Sequence, residues 1–183
     1  CWSLNVNGTL GTGDPVYAFV GDQPGEMPPP PAQIGGPVLD LAAGLNHACA
    51  VLVGGAVRCW GLNSDGTLGQ PGQPSGLAPA ANGDLDLGGP AVQVAAGWSH
   101  TCALLAAGAV RCWGSNALGQ LGYPGVPHVG VNQTPGSMPP VDLGAVALQI
   151  AAGQFHTCAL IDGDRVRCWG QGSYGALGYQ NTV

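Results

Sequence analysis

The sequence predicts an all-β protein built from propeller blades, and three observations carry that prediction. A unit of about two dozen residues recurs three times. It is cut into short apolar runs by turn residues. Each copy holds two cysteines ten positions apart. The copies are HACAVLVGGAVRCWGLNSDGTLG (47–69), HTCALLAAGAVRCWGSNALGQLG (100–122) and HTCALIDGDRVRCWGQGSYGALG (156–178). Self-similarity at a fixed period is the mark of a repeat architecture.

Each element follows in order. Before every copy stands an apolar run ending in glycine, LDLAAG, VQVAAG or LQIAAG, which reads as a first strand. HACAVL, HTCALL and HTCALI read as a second strand. Three residues then form a turn, and AVRCWG or RVRCWG returns as a third strand, so that the pair makes a hairpin with a bulged loop. Gly55 and Gly108 occupy the turn position where a positive φ is wanted, and Asp164 stands there in the last copy. Aspartate tolerates that conformation better than most side chains. A Gly-rich tail closes each unit. Cys-Trp pairs at 1, 59, 112 and 168 are spaced 58, 53 and 56 residues apart, a period that suits a four-stranded blade.

These boundaries divide the chain into the second half of a blade (1–13), three full units (34–70, 85–122 and 141–179) and variable Pro/Gly loops (14–33, 71–84 and 123–140). Three units and a half do not close a seven-bladed ring. The chain is therefore expected to be part of a longer propeller, with ring completion by a second chain or filament growth through open edges as the other routes.

Hairpin register places Cys49 opposite Cys59, Cys102 opposite Cys112 and Cys158 opposite Cys168. Directly opposed antiparallel positions bring Cα atoms within disulfide range. Three disulfides are expected, and with them an extracellular, periplasmic or cell-surface setting. Buried free thiols are the competing reading; zinc is disfavoured because the short Cys-x2–4-Cys spacing is absent. Cys1 is left without a partner within the chain.

Composition narrows the function. The chain has 183 residues, 33 glycines, 16 prolines, 45% hydrophobic and only 8% charged residues, and a net charge of −6. Lysine is absent, and the cations are Arg58, Arg111, Arg165 and Arg167. Without clustered Lys/Arg there is no footprint for a phosphate backbone, so nucleic acid is not an expected partner. No apolar run approaches the ~20 residues of a spanning helix, so membrane insertion is not expected. Glu26 is the sole glutamate, no paired acid–base set or phosphate loop stands out, and neither enzymatic activity nor a cofactor or metal is expected.

The pattern G-x-x-H-T-C-A-L…G-x-V-x-C-W-G-x-N-x-x-G-Q-L-G resembles the regulator of chromosome condensation repeat family, and it covers essentially the whole chain. The resemblance implies a β-propeller, typically of seven four-stranded blades. Paired cysteines are similar to its bacterial and extracellular-looking members. The nuclear exchange factor of the family is the less fitting relative, because this chain lacks a basic DNA-contacting loop and no exchange residue maps onto it. A secreted bacterial inhibitor of β-lactamase, which grips a protein partner, is the more similar physical type.

Residues then sort by whether they follow the period. His47, His100 and His156, and Trp2, Trp60, Trp113 and Trp169, recur once per unit and are expected to lock blade to blade; a ring of three histidines around a metal is the weaker alternative. Arg58, Arg111 and Arg167 alternate with the cysteines and should meet carboxylates or carbonyls. Trp98 breaks the period, and Phe155 stands in the adjacent place of the next copy. Trp98, with Tyr17, Phe19, Tyr123, Pro124 and a solvated His128 in the variable loops, forms the candidate contact set for a protein partner. Asn7 and Asn132 begin N-x-T sequons, open to glycosylation in a competent host. The expected function is a protein-binding module acting through its inter-blade loops. Self-assembly into a filament or lattice is the alternative, and nucleotide exchange a lesser one.

Overall fold

The computed structural model describes residues 3–5, 7–13 and 18–179; Cys1, Trp2 and Tyr17 lie outside them. The strands are β1 (Ser3–Asn5), β2 (Ala18–Val20), β3 (Val38–Ala43), β4 (His47–Leu52), β5 (Val57–Gly61), β6 (Ala91–Ala96), β7 (His100–Leu105), β8 (Val110–Ser115), β9 (His128–Val129), β10 (Ala147–Ala152), β11 (His156–Ile161) and β12 (Arg165–Gly170). One helical turn, α1 (Pro79–Asn82), and two short 3-10 turns complete them. All pairing is antiparallel, in sheets β1-β2, β3-β4-β5, β6-β7-β8-β9 and β10-β11-β12.

The three large sheets are the three repeats, stacked side by side as propeller blades. β3 packs on β6 and β6 on β10, so the first strand of each unit is the inner strand. The turn after each middle strand has the backbone the sequence asks for: φ is +87° at Gly55, +79° at Gly108 and +56° at Asp164.

Cysteines face each other in register in all three hairpins. Their Cα atoms are 4.0, 4.1 and 4.0 Å apart and all three pairs are bonded. Because side chains alternate across a strand, the cysteines share a face with His47, His100 and His156. That face looks toward the following blade: Thr101 Oγ1 lies 3.8 Å from Cys49 Sγ, and Thr157 Oγ1 3.7 Å from Cys102 Sγ. Each disulfide of the first two blades is thus buried in a seam. The main core is the set of seams, filled by Val51, Val57, Leu68, Val94, Leu104, Val110, Leu121, Ile150 and Ile161.

The fourth strand is where the fold departs from the expected blade. Among the described residues only the second of the three full units carries one, from 123–140, while the half-blade has its equivalent in β2, from 14–33, which pairs Ser3↔Val20 and Leu4↔Phe19; both stretches read as loop in the sequence. β9 pairs through Gly114↔Val129 and Ser115↔His128. In the first unit the outer strand is covered instead by α1, whose Asn82 side chain donates to the Cys59 carbonyl at 2.6 Å. A two-residue strand in a Pro/Gly-rich stretch has no periodicity to read.

Reduction should raise the intact mass by about 6 Da, two hydrogens for each of the three bridges. Replacing Cys102 and Cys112 together by alanine should destabilise the protein by roughly 3 kcal/mol, the chain-entropy value for so short a loop. Urea unfolding of oxidised wild type and double variant checks this.

Candidate interaction surface

Two kinds of residue meet at the blade seams: those that hold the blades together and those left at the rims. The holding set is repeated. His47 Nε2 lies 2.8 Å from Thr101 Oγ1, and His100 Nε2 lies 3.0 Å from Thr157 Oγ1. Each histidine therefore reaches the threonine that directly follows the next histidine in the repeat. Thr157 in turn donates to the Gln120 carbonyl at 2.9 Å. Trp60 and Trp113 are fully buried. Their indole N–H groups point backward, to the carbonyls of Thr9 and Thr67, each at 3.0 Å. Histidine forward and tryptophan backward follow from alternation, because the paired residues Thr101 and Trp113 share the face opposite His100 and Cys102.

The third unit departs from this pattern. Trp169 is half-buried, and its indole nitrogen is buried without a partner among the described residues. The Gln120 carbonyl at the position of Thr9 and Thr67 is occupied by Thr157. His156 is half-exposed, as is its face of the blade. No group of three or more His, Cys, Asp or Glu side chains that could hold a metal occurs among the described residues.

A further seam contact carries no obvious sequence signal. The inner strands contain a bulge, with an extra residue at Leu39, Val92 or Leu148. A bulge re-aims the side chain beside it. Gln93, next to the bulge, bridges to the following inner strand: its Nε2 donates to the Ile150 carbonyl and its Oε1 accepts from the Ile150 N–H, both at 2.9 Å. This side chain stands in for a pair of β-ladder bonds. Asp40 makes the accepting half alone, from Val94 N–H at 2.9 Å. The repeat alignment does place Asp40, Gln93 and Gln149 in one column, but their role needs the bulge.

Arg58, Arg111 and Arg165 are each bonded within the fold. Arg58 pairs with Asp84 at 2.6 Å and donates to the Ile34 carbonyl at 2.7 Å. Arg111 donates to the carbonyls of Pro135 and Met138. Arg165 pairs with Asp162 at 3.1 Å, and Arg167 is exposed.

The proposed contact residues divide. Tyr123 is buried, and its hydroxyl accepts from the Cys112 N–H at 3.4 Å; it is a strand clamp, not a free surface. Tyr179, also directly after an L-G, does the same at Cys168, accepting from the N–H at 3.1 Å and donating to the carbonyl at 3.0 Å. The shared L-G-Y in the two copies is the signal that separates Tyr123 from the variable loop. His128 is half-buried and lies in β9 rather than in a solvated loop, because the loop folds back onto β8. Pro124 and Phe19 are exposed. Of the sequon asparagines, Asn132 is exposed and Asn7 half-buried with a φ of +52°.

Trp98 is 41% exposed and stacks on Phe155, with ring centroids 5.3 Å apart and planes 15° from parallel. These residues follow the glycine that ends each inner strand. The Trp98 N–H donates to the Gln154 carbonyl at 3.0 Å, tying one blade's corner to the next. A Cβ at Gly97 would stand 2.5 Å from the Gly153 carbonyl oxygen, and one at Gly44 2.4 Å from that of Gly97. The corners are packed backbone to backbone.

Burial drives the His47 and His100 imidazoles down to about 4, and for His100 the charges of His47 and His156 add to the effect. A folded pKa below the unfolded value of about 6.5 means that the unfolded chain binds more protons between the two. Stability should therefore be full above pH 6.5 and fall as pH drops toward 4, by roughly 3 kcal/mol per histidine at the limit. Urea midpoints between pH 7.5 and 4.5 should show a loss that is reduced in His100→Gln. Thr157→Val, which leaves His100 Nε2 unpaired, should cost about 1–3 kcal/mol at pH 7.5.

Comparison with known proteins agrees with this architecture. Two family models, both described as Regulator of chromosome condensation (RCC1) repeat, match residues 38–67, 91–120 and 148–176, and residues 54–104 and 107–160. The Probable E3 ubiquitin-protein ligase HERC6 of Homo sapiens is 34% identical over 150 residues, covering 79% of this chain and 14% of that protein. The Ultraviolet-B receptor UVR8 of Arabidopsis thaliana is 29% identical over 187 residues, covering 100% of this chain and 39% of the receptor. Among solved structures, human WBSCR16 matches with a TM-score of 0.76 at 21% identity, covering 99% of this chain and 50% of that one. Prp20p from Saccharomyces cerevisiae matches at 0.64 and 22%, covering 77% and 35%. The chain thus spans a minor part of the curated relatives it matches, and the ligase and receptor activities in their names are not carried over. With its three matched repeats and their blade geometry, this chain belongs to the regulator of chromosome condensation repeat family.

Proposed function

We propose that this chain is a propeller segment that works as a protein–protein interaction module in an oxidising setting, outside the cell, in a periplasm or at a cell surface. The observation that carries the reading is the division of labour between seams and rims. His47, His100, Thr101, Thr157, Trp60 and Trp113 are consumed in holding blades together. What remains exposed at the corners are non-repeated apolar side chains on a rigid backbone, the usual place for recognition. Three buried or half-buried disulfides, one per blade, support the oxidising setting. A solved relative is named for its binding properties to Gsp1p and histones, which supports protein binding as a use of this fold but does not extend those partners to an acidic chain without lysine.

A second reading has its own observation. Val38, Leu39 and Leu41 on β3 are 45%, 59% and 55% exposed, whereas Val94 and Ile150, the equivalents of Leu41, are 4% and 2% exposed. On the last blade Val166 is 61% exposed. Open blade faces of this kind favour association. Head-to-tail stacking of two copies would however bring His156 to Ala48, where the internal seams offer a threonine hydroxyl, and Trp60 is already bonded to Thr9. The seam chemistry thus favours a different blade over a second copy.

Alkylation of free thiols in living cells before lysis tests the setting: the six paired cysteines should resist labelling, and their complete labelling would refute it. Sedimentation of the purified chain over a wide concentration range tests the second reading. A mass independent of concentration is expected; open-ended growth that Leu41→Asp abolishes would establish self-assembly instead.

A further inference from the structure

We infer that the cleft under Trp98 is the contact site of the module, and that its occupant is a protein segment with an uncharged apolar anchor flanked by basic residues. This rests on the interaction reading above and names its surface. The cleft, about 290 Å³ in volume, runs across the corners of three successive blades. Gly44, Leu45, Gly97, Trp98, Gly153 and Gln154 form its principal walls.

Four features single it out. First, it is the place where the repeats disagree. The columns either side of it read Gly and His in every copy, but the two positions between are Leu45-Asn46, Trp98-Ser99 and Gln154-Phe155. The scaffold is constant and the tips vary, as they would if the scaffold served to display them. Second, the tips are apolar and accessible. Leu45 is 51% and Trp98 41% exposed. Third, the platform is fixed before anything binds. Trp98 is held by its stack on Phe155 and by its N–H bond to Gln154, over glycine corners that admit no Cβ. Pre-ordered aromatic anchors lose little entropy on binding. Fourth, the chemistry of the walls is selective. No charged side chain lines the cleft among the described residues, so burial of an apolar group is what it offers.

The wider charge decides the flanks. The chain carries ten carboxylates against four arginines, and Arg58, Arg111 and Arg165 are bonded within the fold. Uncompensated surface charge is therefore mostly negative, which steers basic segments in and keeps acidic ones away. A carbohydrate would also stack on Trp98, but a sugar needs several fixed polar groups beside the ring, and Gln154 is the one polar side chain in the walls among the described residues.

The test is a selection of displayed random 12-residue peptides on the oxidised chain, with Trp98→Ala as the counter-target. Synthetic versions of the enriched peptides are then titrated by calorimetry. Peptides with an apolar anchor and flanking Lys or Arg are expected, weakened about tenfold or more by Trp98→Ala, the scale of an aromatic hot spot. Trp98→Phe should keep most of the affinity and Phe19→Ala, at an exposed aromatic elsewhere, all of it. Leu45→Asp, on another blade, provides an independent loss should Trp98→Ala fail to fold by thermal melt. Enriched peptides that bind Trp98→Ala and Leu45→Asp as well as wild type would overturn the site while leaving the interaction reading in place. Absence of any peptide enriched over the counter-target would overturn the site too. Acidic consensus sequences, binding to a glycan array abolished by Trp98→Ala, or a concentration-dependent dimer abolished by it, would each overturn the class of partner.

Discussion

Everything in this molecule depends on the alternation of side chains across the middle and outer strands of a blade. Because successive residues face opposite seams, the dipeptide His-Thr can serve two interfaces at once. His100 reaches forward to Thr157, while Thr101 receives His47 from behind. The Cys-Trp dipeptide on the paired strand does likewise, with the sulfur forward and the indole backward. A one-residue slip of β8 against β7 would turn its Cys-Trp pair over, sulfur backward and indole forward. The disulfide forbids that slip, since only the observed register sets Cys102 opposite Cys112.

The seams are also where polar groups are buried, and this makes them exacting. A hydroxyl or imidazole taken out of water without a partner costs about 1–3 kcal/mol, so each blade must present the complement its neighbour requires. Gln93 meets the same demand at the inner strands, where its amide completes the backbone pairing with Ile150. On the last blade the buried Trp169 indole nitrogen lacks a partner among the described residues. Exposed Leu41 on the first blade and Val166 on the last mark the outer faces of the stack. Such a structure is modular, yet each module is specific for the next. A rigid stack of this kind leaves recognition to whatever the repeat does not need, and the corners around Trp98 are the part it does not need.

Much of the fold was legible from residues alone because the repeat supplies its own alignment. Three copies of the same hairpin identify strand, turn and opposed cysteines, and the positive φ at Gly55, Gly108 and Asp164 follows from the turn that such a hairpin needs. Trp98 stood out for the converse reason, as an aromatic that the period does not explain. The variable segments were opaque. Tyr123 reads as a loop aromatic until its hydroxyl is seen at Cys112, and His128 reads as solvated until β9 forms around it. In both cases the deciding partner is a backbone group of a neighbouring strand, which no side-chain pattern announces.

By itself, then, the sequence determined what is local and periodic: the hairpins, their register, the cysteine pairing and the membership of a repeat family. Those follow from period-two alternation and turn geometry, which act over a dozen residues. Tertiary structure alone decided which seam each side chain serves, that Gln93 replaces a ladder pair, and that Leu45, Trp98 and Phe155 gather at one end of the blades. Those contacts join residues roughly fifty positions apart. They come into being only when blades stack, because the distances are set by the packing of one sheet on the next and not by the path of the chain between them.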